Sequence, residues 1–125
     1  HGAMERDFTY VDDIVGGISK MVDRPPENDK NWNPRKPDPS GSSAPYKLYN
    51  IGNNNPVRLM DFIREIELAT GIEAQKIMRP MQPGDVVKTW ADVDALVEDY
   101  DYRPATPIKS GIAEFIQWFR SYYKI

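Results

Sequence analysis

The amino-acid sequence predicts an α/β fold that contains a few short strands and about four helices. Apolar side chains recur at helical spacing in about four stretches of the chain, which is the pattern of amphipathic helices. Short runs of β-prone residues precede some of these stretches, and Pro, Gly and Asn separate the segments. The chain has 125 residues, 40% hydrophobic and 28% charged, which is the composition of one globular domain. We therefore treat residues 1–125 as a single unit.

The first segment predicts a strand followed by a capped helix. Residues 7–11 alternate polar and apolar side chains, and Asp12 and Asp13 stand where a carboxylate can accept from free backbone N–H groups of a first helical turn. The helix should end before Pro25. Two adjacent carboxylates could suggest acid–base chemistry, but neighbouring side chains point in different directions, so we assign them a structural role. The apolar face of this helix consists of Ile14, Val15, Ile18, Met21 and Val22.

Two further features of the N-terminal region are a pair of glycines inside the predicted helix and a long loop after it. Gly16 and Gly17 lie inside the predicted helix, where each costs about 1 kcal/mol relative to Ala, so we expect a close packing contact there. Residues 24–45 are crowded with Pro, Asn, Asp, Ser and Gly and show no periodicity. They predict a long loop, and loops of this length inside a compact domain are usually functional or mobile.

The middle of the chain predicts two further strands around one helix. Residues 46–51 form the first of these strands, and Gly71 ends the helix that follows. Residues 75–78 form the other strand, which leads into a loop at residues 80–85. The helix is marked by an apolar stripe of Leu59, Phe62, Ile63, Ile66 and Ala69.

The C-terminal part predicts two more helices. Asp92 is the expected N-cap of the first, and Thr106 followed by Pro107 is a favoured start for the last. Since helical periodicity accounts for the aromatic residues of the last helix, we assign Trp118, together with Trp90, to the core rather than to a base-stacking surface. The apolar face of the last helix consists of Ile108, Ile112, Phe115, Ile116, Phe119 and Tyr123.

Composition argues against several classes of function. The net charge of -3, without a block of like charges, does not suit a protein that binds nucleic acid or an anionic membrane surface. The chain has no Cys and a single His, at position 1, which argues against disulfides, thiolate zinc sites and a histidine-built metal site. We also find neither a membrane-spanning apolar run nor a signal-peptide layout, and we expect a cytoplasmic protein.

Three segments, in this order, resemble the C-terminal third of nucleotide-sugar epimerases and dehydratases. Residues 6–13 read RDFTYVDD, residues 49–53 read YNIGN, and residues 81–92 contain MQPGDV followed by TWAD. The chain is thus similar to extended short-chain dehydrogenases/reductases over essentially its whole length. The MQPGDV form and the pattern Y-x-P-x-T-P at residues 102–107 look most like UDP-glucuronate 4-epimerases of capsule and cell-surface polysaccharide pathways.

The resemblance implies a substrate-binding subdomain with elements that complete a Rossmann sheet. It also implies epimerisation of UDP-glucuronate to UDP-galacturonate through a 4-keto intermediate, with bound NAD. The family's Gly-rich dinucleotide loop and catalytic Tyr-x-x-x-Lys lie in its N-terminal part, and neither pattern occurs here. We therefore expect no catalytic and no NAD-binding residue within residues 1–125, and no activity from this piece alone. A homodimer is expected for the full-length enzyme, and self-association for the piece, because apolar surface would be uncovered.

The resemblance also implies a UDP-binding site. Arg6 occupies the position of a diphosphate ligand, a role that suits a planar guanidinium with paired N–H donors. Asp85, after the Pro–Gly turn, resembles the carboxylate that accepts hydrogen bonds from the ribose hydroxyls. Gln82 stands where several relatives carry a second diphosphate-binding Arg, so diphosphate binding would depend more on Arg6. Thr89 aligns with a position near the sugar.

Each of these assignments has an alternative. Arg6 could pair with Glu5 or Asp7 at a strand start, and Asp85 could be turn chemistry alone. The whole chain could also belong to a relative with another reaction: a UDP-glucose or UDP-N-acetylglucosamine 4-epimerase, a decarboxylase or a dehydratase. A free-standing, non-catalytic binding module is the remaining hypothesis.

Overall fold

The computed structural model describes residues 2–125 and shows a small α/β fold. His1, the residue on which the histidine count rests, lies outside the described residues. The described part of the chain contains four helices and one two-stranded sheet, which confirms the predicted fold class. The elements are β1 (Glu5–Arg6), α1 (Val11–Asp23), β2 (Val57–Arg58), α2 (Leu59–Thr70), α3 (Asp94–Tyr100) and α4 (Ile108–Tyr123).

The first strand lies between two other segments of backbone. On one side, β1 pairs antiparallel with β2, with Glu5 opposite Arg58 and Arg6 opposite Val57. On the other side, Glu5 forms a parallel bridge with Lys88. The helices pack around this centre, α2 against α4 and α1 against α3. β1 therefore joins the start of the chain both to β2 and to a segment more than 80 residues later.

The three predicted strands are wrong. Residues 7–11 leave the sheet and enter α1, residues 46–51 contribute only an isolated bridge between Lys47 and Gly41, and residues 75–78 are irregular. A strand is stable only when a neighbouring backbone satisfies its N–H and C=O groups. Within residues 2–125, these positions have β-prone sequence, but no neighbouring strand pairs with them.

Each helix begins near its predicted start, but of the predicted caps only Asp92 is confirmed: its Oδ1 accepts from the backbone N–H of Asp94, the first residue of α3, at 3.1 Å. The observed N-cap residues are Tyr10, Arg58, Val93 and Pro107, and the side chains of these four make no cap hydrogen bond. Asp13 instead accepts from the backbone N–H of Thr106 at 2.9 Å, which ties α1 to the segment before α4. The predicted stop at Gly71 is confirmed, since this residue is the left-handed C-cap of α2 with φ 75°.

The core is smaller than the sequence predicts. Its buried apolar side chains are those of Val93, Leu96, Tyr100 and Ile112. Trp90 and Trp118, assigned to the core from the sequence, are 58% and 53% exposed, so that assignment is wrong. Periodicity marks an apolar face but cannot show whether another element covers it. In the described part of the chain, α4 packs on α2 and leaves Phe115, Trp118, Tyr122 and Tyr123 exposed.

The close contact expected at the two helical glycines is confirmed. A Cβ at Gly16 would lie 2.5 Å from the Tyr102 hydroxyl oxygen, and one at Gly17 would lie 3.3 Å from the Tyr102 ring. The Tyr102 hydroxyl donates to the backbone carbonyl of Asp13 at 2.8 Å, which fixes the ring against α1. Partial burial, with the nearby charge of Asp13, raises the pKa of Tyr102, so the hydroxyl remains a donor at neutral pH.

Residues 24–45 form an irregular loop with several turns, and the residues that follow it are held on α3. Asp99 Oδ2 accepts from Lys47 Nζ and from the Tyr49 hydroxyl, each at 2.6 Å. Partial burial acts to raise the pKa of Asp99, but these two hydrogen bonds and nearby positive charge outweigh it and the pKa is lowered. The carboxylate therefore stays ionised and holds the end of the loop on the helix.

Two absences concern possible functions. No helix among the residues described has both the length and the apolar character that would let it cross a membrane. Over the same residues, no group of three or more His, Cys, Asp or Glu side chains is arranged to hold a metal ion.

The packing of Tyr102 on α1 predicts the effect of adding one methyl group. Gly16→Ala should gain about 1 kcal/mol of helix propensity but lose more, about 1–3 kcal/mol, to the clash with the Tyr102 hydroxyl. Urea unfolding should show a net loss of stability. Gly16→Ala combined with Tyr102→Phe should lose less than the two separate changes summed, since removal of the hydroxyl relieves the clash. A stabilised Gly16→Ala protein would contradict the close contact.

Candidate functional site

The structure brings Arg6 and Asp85 into direct contact. Arg6 Nη2 lies 2.5 Å from Asp85 Oδ1, and the two side chains are 27% and 34% exposed. Arg6 Nη1 also donates to the backbone carbonyls of Glu5 at 2.9 Å and Val87 at 3.4 Å. The guanidinium is thus oriented by three acceptors while part of it stays open to solvent. Two residues separated by 79 positions in sequence meet at one point on the surface.

The backbone around β1 explains why they meet. Glu5 N–H donates to the Val87 carbonyl at 2.8 Å, and Thr89 N–H donates to the Glu5 carbonyl at 3.3 Å. The Glu5 carboxylate pairs with Lys88 Nζ at 2.8 Å on the same segment. Because Arg6 follows Glu5 and Asp85 precedes Val87, this pairing holds the two side chains within reach of each other.

Asp85 lies at the end of a tight bend. Its N–H donates to the Gln82 carbonyl at 3.1 Å, and Gly84 between them has φ 87°, a conformation that L side chains rarely adopt. Asp85 Oδ1 accepts from the Val86 N–H at 2.9 Å as well as from Arg6. The bend therefore presents a carboxylate whose orientation is fixed by its own backbone.

A cleft of about 870 Å³ opens beside this bend. Gln82 and Asp85 lie on its wall, and Arg79 and Lys76 add basic side chains. This volume falls in the usual range for small-ligand sites, and its mainly apolar lining with a few polar groups is the usual composition. The large apolar side chains of the lining are those of Met4, Leu59, Met60, Ile63, Ile66, Ile77, Met78 and Met81.

Thr89 lies apart from the other three predicted residues. It lines a separate cavity of about 340 Å³, together with Asp7, Asn50 and Asp92. The structure therefore groups Arg6, Gln82 and Asp85 at one end of the segment 82–92 and places Thr89 further along it. Arg6 forms its ion pair with Asp85 and not with the carboxylate of Glu5 or Asp7, the alternative considered from the sequence, although its Nη1 donates to the Glu5 backbone carbonyl.

Asp7 is a residue of this region that the sequence suggested only as an alternative partner of Arg6. Its Oδ2 accepts from the backbone N–H of Asn54 at 3.0 Å and of Ala91 at 3.3 Å, and its Oδ1 from that of Asn55 at 3.4 Å. The donors lie 47, 84 and 48 positions away in sequence. Local spacing carries no signal for such contacts.

A second large cavity, of about 680 Å³, lies elsewhere, between the loop at residues 24–45 and α3. Its lining includes Tyr49, Asp99 and Tyr100 but none of the four residues predicted to bind UDP. Its charged lining is predominantly acidic, which does not suit a diphosphate. The cleft beside Asp85 is therefore the better candidate for a nucleotide site.

Comparison with known proteins gives both sequence relatives and fold relatives, although no family model matches the chain. Protein CapI of Staphylococcus aureus is 53% identical over 124 residues, which cover 99% of this chain and 37% of that protein. A probable UDP-glucuronate 4-epimerase of Rhizobium meliloti is 37% identical, covering 98% of this chain and 36% of that protein. The chain thus spans little more than a third of the length of these curated relatives.

A solved structure shows the same relationship in three dimensions. The UDP-glucuronic acid 4-epimerase of Bacillus cereus, in complex with UDP-glucuronic acid and NAD, matches with a TM-score of 0.66 and 26% identity. The match covers 94% of this chain and 33% of that one. The chain is therefore a relative of the UDP-glucuronate 4-epimerases, and its fold is that of the C-terminal portion of extended short-chain dehydrogenase/reductase epimerases.

Proposed function

We propose that this chain is the UDP-sugar-binding part of an NAD-dependent nucleotide-sugar 4-epimerase that converts UDP-glucuronate to UDP-galacturonate. The observation that carries the proposal is the contact of Arg6 with Asp85, a residue on the wall of a cleft of about 870 Å³. The names of the relatives supply the substrate. We place the reaction in polysaccharide synthesis, as the resemblance implies. We place it in the cytoplasm because a chain without Cys suits a reducing compartment.

Arg6 supplies what a diphosphate needs. A guanidinium is permanently charged and can donate two parallel N–H bonds to phosphate oxygens. Its present partner, Asp85, is about one-third exposed, and an ion pair of this kind contributes no more than about 1 kcal/mol. A diphosphate can therefore displace the carboxylate from Arg6 at small cost.

Asp85 then becomes available for the ribose. A carboxylate accepts hydrogen bonds from vicinal hydroxyl groups, and the Val86 N–H holds this one in place at 2.9 Å. Gln82 lies on the same bend and can donate through its amide, but it adds no charge. The apolar wall of the cleft provides a surface for the flat uracil base. One UDP would thus contact the two sides of the present ion pair.

NAD is the cofactor of the related epimerases, whose solved structures are NAD complexes. The residues described here do not fit it. A dinucleotide site needs a Gly-rich turn between a strand and a helix, whereas β1 reaches α1 through Asp7–Tyr10 without a glycine and β2 runs directly into α2. We assign NAD and the reacting groups to the N-terminal part of the full-length enzyme, and we expect no turnover from this chain alone.

By holding the nucleotide, this part of an epimerase would contribute to catalysis without touching the reacting atoms. The sugar must turn between two hydride transfers to present opposite faces, and the remote UDP group is what stays bound meanwhile. Tight binding of this non-reacting portion supplies the positioning that the moving ring cannot provide for itself.

We predict that Arg6→Ala weakens UDP binding to this chain at least about tenfold, since a charge-assisted, bidentate contact is lost. Arg6→Lys should bind with intermediate affinity, because the charge remains but the planar fork does not. Isothermal titration with UDP measures both. Arg35→Ala is the matched control, since it removes an exposed arginine from the loop at residues 24–45. Equal affinity of the Arg6→Ala and Arg35→Ala proteins would refute the assignment.

We further propose that the isolated chain self-associates and that the full-length enzyme is a homodimer. Exposed large apolar side chains lie on α1 and α4, including Val15, Val22, Trp118 and Tyr122. Apolar patches of this kind usually mark contact surfaces.

Light scattering at micromolar concentration should therefore give a mass above that of one 14.4 kDa chain. Trp118→Glu should lower that mass, because a charge placed on the exposed face of α4 opposes burial. As a control, Arg35→Glu alters charge without touching this face. A monomeric mass for the unaltered chain would rule out self-association.

A further inference from the structure

The carboxylate of Asp7 connects three separate parts of the chain. It follows Arg6 directly at the end of β1. It accepts from the backbone N–H groups of Asn54 and Asn55 in the turn before β2, at 3.0 and 3.4 Å. It also accepts from the Ala91 N–H at 3.3 Å, at the end of the segment that begins with the bend at Asp85. Hydrogen bonds to an ionised acceptor are stronger than neutral ones.

The packing at this junction leaves no room for adjustment. A Cβ at Gly52 would lie 2.5 Å from the Ala91 Cβ and 2.8 Å from Asp7 Oδ2. Gly52 is also buried. The turn, the end of β1 and the segment around Ala91 therefore meet at a distance that only glycine permits at this position.

The Asp7 junction lies at one end of the contact between β1 and the segment 85–91, and the Arg6–Asp85 ion pair, which must open to bind UDP, lies at the other end. When a diphosphate takes Arg6 from Asp85, the ion pair no longer links β1 to the segment 85–91. The backbone hydrogen bonds of Glu5 with Val87 and Thr89 and the Glu5–Lys88 ion pair remain in the middle, and the Asp7 contact with Ala91 remains at the far end. Since all the middle contacts are made by Glu5, the contact of Asp7 with Ala91 is the further attachment that resists a pivot of the segment about Glu5.

We infer that Asp7 is a positioning residue for UDP binding, which sets Arg6 and the bend at Asp85 at the separation that lets one UDP contact both. This inference rests on the proposed function. Its basis is that one carboxylate accepts backbone N–H groups from both segments that flank β1, immediately after the residue assigned to the diphosphate.

The test uses Asp7→Asn and compares UDP with uridine by isothermal titration. UDP affinity should fall about tenfold, because lost hydrogen bonds to a charged acceptor loosen the Arg6 side relative to Asp85. Uridine affinity should fall less, since uridine does not use Arg6. A change that only lowered overall stability would not alter the ratio of UDP affinity to uridine affinity. Asp99→Asn is the matched control: the Asp99 carboxylate likewise accepts hydrogen bonds, two in number, but it lies beside the other cavity, so UDP affinity should be unchanged.

A second variant covers the case in which Asp7→Asn does not fold. Gly52→Ala pushes on both Asp7 and Ala91 without altering charge, and it should also reduce the preference for UDP over uridine. If the unaltered chain binds no UDP, the proposed function fails and this inference with it. If the unaltered chain binds UDP while the folded Asp7→Asn or Gly52→Ala protein keeps the same UDP to uridine ratio, only the role of Asp7 is overturned.

Discussion

The backbone pairing of Glu5 with Val87 and Thr89 is the constraint on which the candidate site depends. These hydrogen bonds bring the start of the chain against a segment more than 80 residues later, and β2 supports the same strand from its other side. Arg6 and Asp85 lie next to the paired residues, so their contact follows from main-chain geometry rather than from attraction between the side chains. A surface ion pair alone would be too weak to organise this region.

The helices could be predicted from the sequence, and so could the contact candidates Arg6 and Asp85, which we propose as UDP ligands, for different reasons. Helical periodicity is local, so α1, α2, α3 and α4 could be placed to within a few residues. Arg6 and Asp85 were found through resemblance to a family and not through their spacing. The strand predictions were wrong because strand pairing is a tertiary property. Residues 75–78 have β-prone sequence, but the segment that pairs with β1 is at residues 87–89.

What sequence could not supply is the set of long-range contacts that fix the geometry. In the sequence Asp7 is an ordinary polar residue, because its three backbone N–H donors lie up to 84 positions away. Asp13 looks like a helix cap, but its carboxylate binds the backbone before α4. Trp118 has the periodicity of a core residue and is exposed, because a covering surface cannot be deduced from the helix that needs it. In each case the missing information was the identity of the partner.

The most direct test of this account is nuclear magnetic resonance of the Arg6 guanidinium and the Asp85 carboxyl during titration with UDP and with uridine. We expect UDP to shift the signals of both side chains as the ion pair opens, and uridine to shift those of Asp85 but leave the Arg6 guanidinium largely unchanged. Such a result would place the diphosphate on one side of the pair and the ribose on the other. Shifts confined to the cavity beside Tyr49 and Asp99, with Arg6 and Asp85 unaffected, would contradict the account.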